Sequence, residues 1–132
     1  MSAILNRLTP HVLSLLRVAA SLLLLQHGTT KILGLPATQM SGVSLMSPPG
    51  IAGVIELVGG VLLLIGLFSR PTAFILSGMT AVAYFYVHAP QDFYPIVNGG
   101  ELAALYSFVF FYLFFAGPGP WAVDNFRGAG KA

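Results

Sequence analysis

Glu56 stands in a run that is otherwise apolar, IAGVIELVGGVLLLIGLF. A carboxylate placed there costs about 2.5–3.5 kcal/mol on membrane-insertion scales, so it belongs against another helix or a wet cavity. Gly53, Glu56 and Gly60 recur at i, i+3 and i+7, on one helical face. Small residues mark close helix contact in membranes, so this face should meet a neighbour. The first apolar segment supplies His27 and Lys31, four apart. His27 and Glu56 are each about six residues from the outer end of their segments, ~9 Å deep at ~1.5 Å per residue. The spacing predicts a Glu56–His27 or Glu56–Lys31 contact, and a pair of this kind can handle protons near neutral pH. The plainer reading is interhelical glue for Glu56, a satisfied hydrogen bond for His27 and a Lys31 that snorkels to the headgroups.

Other polar side chains surround this trio. Arg17 shares a stripe with Ala20, Ser21, Leu24, Gly28 and Lys31 that should face inward. Its structural alternatives are snorkelling to the interface or pairing with the tail around Asp124. Ser77, Ala81, Tyr84 and His88 share a face of the third segment, and Asp92 follows in the next loop. His88, Asp92, Tyr84, Asn98 and Glu101 could complete an outward-facing ligand pocket with His27, Lys31 and Glu56. Against this, Asn98 followed three residues later by Glu101 resembles a capping box that starts the last helix, and a carboxylate suits the positive end of a helix dipole. His27 and His88 leave haem ligation or a zinc site with nearby carboxylates as speculative readings; no metal site is assigned.

The elements that would hold these residues follow from composition. The 132 residues are 56% hydrophobic and only 8% charged, against about 25% charged in a soluble domain. With so few charges the apolar surface must face lipid. The net charge of +2 comes without a basic run, which speaks against nucleic acid as a partner. The chain has no cysteine, so neither disulfide exchange nor a thiolate nucleophile is an activity of this chain alone. Four apolar segments, at about 11–33, 50–68, 71–89 and 101–117, each approach the ~17–25 residues that cross a bilayer. The expected fold is an all-α, four-helix transmembrane bundle forming one domain over residues 1–132. The first segment reads as a retained membrane helix rather than a cleaved leader. Pro71, just after Ser69-Arg70, suits a first helical position and predicts a tight antiparallel hairpin of helices two and three. The stretches 34–49 and 90–100 read as irregular, the latter interfacial, and Trp121 as a headgroup-level anchor. Helix four surrounds itself with aromatics, so a flat ring-binding slot is a minor reading of it. Arg7, Arg70, Arg127 and Lys131 fall on one side, with Lys31, Asp92 and Glu101 on the other. The positive-inside rule then places both termini in the cytoplasm and the longer loops outside.

In this order, these residues resemble the DoxX family of small bacterial membrane proteins. The resemblance rests on Arg17 followed by His27-Gly28-x-x-Lys31, on Glu56-Leu57-Val58-Gly59-Gly60 with Gly66, and on Met79. It continues in Phe93-x-Pro95, Asn98-Gly99-Gly100-Glu101, Gly117-Pro118-Gly119, Trp121 and Asp124. The motifs are short and glycine-rich, and their ordered combination covers nearly the whole chain. The resemblance implies a four-helix bundle in the bacterial inner membrane. Relatives called DoxD look like the small membrane subunit of a thiosulfate:quinone oxidoreductase, and other members are linked to complexes handling thiols and oxidative stress. It therefore implies a subunit of a membrane oxidoreductase complex that is not catalytic alone, with a partner subunit and a quinone as the cofactor it could hold. A non-enzymatic scaffold or assembly factor and a small proton-linked transporter, the latter requiring a homo-oligomer, are the competing readings.

Overall fold

Main-chain groups enclosed by apolar side chains or lipid must bond to one another, and the helix is the local way to do so. The structure, a computed structural model, describes residues 1–128; Lys131 lies outside the described residues. Among these residues the chain is all-α, with five α-helices and no strand. They are α1 (Ser2–Leu33), α2 (Pro48–Ile65), α3 (Ser69–Ala83), α4 (Pro95–Asn98) and α5 (Glu101–Ala116). A π-helical turn, Tyr84–His88, prolongs α3, and a 3₁₀ turn, Val123–Asn125, lies in the tail. α1 and α2 are each long and apolar enough to cross a membrane, and α5 is a shorter apolar helix.

Several boundaries differ from those expected. α1 begins at Ser2 rather than near His11 and carries Pro10 inside it. α2 begins two residues early, because Ser47 accepts a hydrogen bond from the Gly50 amide (3.2 Å) and Pro48 occupies the first turn, a standard helix start. It ends at Gly66, whose left-handed backbone (φ 74°) stops the helix before Phe68. α3 starts at Ser69, so Pro71 is its third residue and not its first. The segment 90–100, expected to be irregular, contains the single turn α4.

α1 packs along α2, and α3 packs along α5. The α1–α2 approach is close because Gly28 has no side chain: a Cβ there would lie 2.6 Å from the Leu57 nitrogen. The two pairs share a core of Leu24, Leu63, Ala73, Leu76, Phe110 and Leu113. Between α2 and α3 the packing opens into an apolar groove of about 280 Å³, lined by Val54, Ile55, Val58, Gly59, Leu62 and Leu76 among others.

Candidate functional site

Close α1–α2 packing brings two buried charges into register. Lys31 Nζ donates to both oxygens of Glu56, each at 3.0 Å. The side chains are 12% and 8% exposed, so the pair is shielded from solvent. Gly53 makes the room: a Cβ on it would come within 2.9 Å of Lys31 Cβ. Of the two contacts expected for Glu56, the structure forms the one with Lys31, and Lys31 turns inward rather than snorkelling. His27, one turn before Lys31, lies instead with its ring edge against Tyr106 of α5, centroids 6.2 Å apart and planes at 88°. Tyr106 is 6% exposed, stacks on Phe110, and its hydroxyl has no hydrogen-bond partner. A buried hydroxyl without a partner costs free energy, and the ring that carries it packs against the His27 ring. The Lys31–Glu56 pair, between α1 and α2, and the His27–Tyr106 pair, between α1 and α5, thus lie one helical turn apart along α1.

Tyr106 was missed in the sequence because α5 is aromatic on every side. The signal that finds it is the buried stripe Tyr106, Phe110 and Leu113, at i, i+4 and i+7.

The second set of expected site residues forms its own cluster. His88 Nδ1 lies 3.0 Å from the Asn98 carbonyl oxygen. The Asn98 amide donates to the Asp92 carbonyl (3.0 Å) and to the Tyr84 hydroxyl (3.3 Å), and its Oδ1 accepts from the Gly100 amide (2.8 Å). Asp92 accepts from the Tyr94 amide at 2.9 Å. These bonds tie the α3–α5 connection to itself. No hydrogen bond or ion pair among the described residues links this cluster to His27, Lys31 or Glu56. Glu101 is exposed and closes no capping box. Gly99 turns the chain through a left-handed conformation, so α5 starts at Glu101 after a Gly100 cap, and Asn98 is left to bond the loop.

At the opposite end, Arg17 is 1% exposed. Its guanidinium donates to the main-chain oxygens of Pro118, Trp121 (2.6 Å) and Leu64 (3.4 Å). It therefore holds the tail, as one alternative foresaw, but not through Asp124. Asp124 reaches across to the turn before α3 and accepts from the amides of Phe68 and Ser69, both at 2.8 Å. Burial alone would raise the Asp124 carboxyl, but these amides and the nearby Arg127 guanidinium outweigh it and hold the group below its ordinary value. No group of three or more His, Asp or Glu side chains that could hold a metal ion occurs among the described residues.

A family model described as DoxX matches residues 12–89. The chain belongs to the DoxX family. This DoxX protein is 44% identical over 126 residues to a protein of Haemophilus influenzae, a match spanning 92% of this chain and 94% of the relative, which is described as an uncharacterized protein. No solved structure matches it. The matched family region contains Arg17, His27, Lys31 and Glu56 and stops before Tyr106. With two long apolar helices, it is a membrane protein of this family.

Proposed function

We propose that this DoxX protein is a four-crossing inner-membrane subunit of a quinone-linked oxidoreductase complex, with both termini cytoplasmic. The observation that carries the reading is the Lys31–Glu56 pair one helical turn along α1 from His27 and Tyr106, whose hydroxyl is unpartnered. A quinone carbonyl needs hydrogen-bond donors in an apolar setting, and Tyr106 and His27 are of the right type. The groove between α2 and α3 offers an apolar seat for an isoprenoid tail. When bound, a quinone would accept two electrons from a partner subunit and two protons. Tyr106 would orient a carbonyl, while His27 and Lys31, each in its protonated form, would pass on one of the two protons and be reprotonated from solvent, with Glu56 balancing the lysine charge.

A scaffold role is the second reading, favoured by the closure of the ion pair, in which both carboxylate oxygens already have a partner. The deciding experiment extracts lipid-soluble cofactors from detergent-purified protein, comparing wild type with Glu56→Gln and Tyr106→Phe. Stoichiometric quinone in wild type that falls in both variants supports the redox subunit. No quinone in any of the three, with partner-dependent stability in a pull-down, overturns it in favour of the scaffold.

A further inference from the structure

α1 has two opposite faces. Ser14, Arg17, Ser21, Leu24 and Gly28 are buried against the rest of the protein. On the far side, Leu5, Leu8, Val12, Leu15, Ala19 and Leu22 follow one another at alternating spacings of three and four, and all are exposed. Leu5, Leu8, Val12, Leu15 and Leu22 each leave about half of their surface uncovered, from 49% to 58%. Spacing of three and four is the seam of a two-stranded coiled coil, with Leu8, Leu15 and Leu22 in the positions that favour leucine. The residues flanking the seam in the outer half are Ile4 and His11 on one side, Ser2 and Thr9 on the other. None of the four is an acid, lysine or arginine, so two copies would bring no like charges together.

Lipid alone does not cover this seam. At ~1.5 Å per residue a 32-residue helix is about 48 Å long, against a hydrocarbon core of ~30 Å. The excess lies at the N-terminal end, where every residue from Met1 to Val12 is exposed. The indole of Trp121 donates to His11 Nδ1 at 3.1 Å, which marks the headgroup level near His11. From there α1 continues for about 15 Å, taking Leu8 about 4.5 Å and Leu5 about 9 Å past that level, so that Leu5 clears a headgroup layer of about 5–7 Å.

We infer that α1 pairs with α1 of a second copy of this chain, in parallel, along the seam from Leu5 to Leu22. Both copies enter the membrane with the same orientation, so a two-fold axis along the membrane normal is the symmetry that closes the pair. The pairing would cover the half of each seam side chain that the single chain leaves open. The part at and beyond the headgroups gains from removing Leu5 from water and Leu8 from the polar headgroup layer; the part within the hydrocarbon gains only from packing. This inference does not rest on the redox reading.

The absence of native cysteine makes the test direct. Single cysteines are introduced along α1 of the full chain in native membranes and oxidised. Dimers linked through Leu5→Cys, Leu8→Cys, Val12→Cys and Leu15→Cys should exceed those through Asn6→Cys, Arg7→Cys and Leu13→Cys several-fold. In mild detergent, Leu8→Asp should convert a dimeric wild type to monomer without loss of helix content. Cross-linking with no such phase overturns the inference, as does quenching of a fluorophore at position 5 by headgroup-level lipid probes, which would show this end lying on the bilayer.

Discussion

The two ends of the bundle bury charge in different ways. Where the tail meets α1, Arg17 bonds to main-chain oxygens and Asp124 to main-chain amides. Between α1 and α2, Lys31 and Glu56 bond to each other. A carbonyl or an amide cannot titrate and cannot be mutated away, so the first arrangement changes only through Arg17 or Asp124 itself. The second joins two side chains whose charges cancel if one proton moves from the lysine to the carboxylate. It can hold helices together, but it also leaves both groups able to exchange a proton with a neighbour. This difference separates a clamp from a candidate reactive site, and two pairs of substitutions expose it.

Arg17→Leu should have the largest effect. It strips the oxygens of Pro118 and Trp121 of charge-assisted bonds, each contributing about 1.5–3 kcal/mol, so a loss of about 5 kcal/mol is expected. No second substitution should restore it, because the partners are main chain. Reversible unfolding in mixed micelles measures the loss, and recovery by any apolar replacement in the tail would break the comparison. At the other end, Glu56→Leu alone leaves an unpaired buried ammonium and should cost about 3–5 kcal/mol. Lys31→Met combined with Glu56→Leu should recover most of that loss, since the pair is replaced by apolar side chains of similar volume. A double variant as unstable as the single would mean that the pair is embedded in a wider network.

Much of this was legible in the sequence. Glu56 announced itself as one carboxylate in an apolar run, and the glycines at i−3 and i+4 gave its face. The depth argument set His27 level with it on the opposite helix, with Lys31 one turn further out, and offered either as its partner. What could not be read was the choice between Lys31 and His27, because that is decided by how far α1 and α5 approach, and the Tyr106 ring claims the imidazole. The first segment's bounds of about 11–33 followed the apolar run, whereas α1 continues through the less apolar residues before it to Ser2, with Pro10 inside. The Asn98–Glu101 spacing matched a capping box, but Gly99 reverses the chain between them. The role of Asp124 depends on a contact 56 residues away in sequence, which no local pattern encodes.

Asp124 gives the mildest and most specific test of the clamp. Phe68 adopts a left-handed backbone (φ 51°) that a bulky residue rarely takes, and the Asp124 carboxylate holds it by accepting the amides of Phe68 and Ser69. Asp124→Asn keeps one acceptor oxygen and loses the charge, so a loss of about 1–2 kcal/mol is expected, comparable to loss of a helix cap. The sign of the pH effect follows from linkage. The carboxyl is held below its ordinary value of 3.8 in the folded protein, so its contribution is fully present above the unfolded value and disappears as pH falls through the depressed folded one. Wild type should therefore lose its advantage over Asp124→Asn as the pH drops below about 4, while the two curves run parallel from pH 5 to 8. A constant gap across the acid range would show that the amides read only the shape of the side chain, and would move Asp124 from charge-based capping to simple hydrogen bonding.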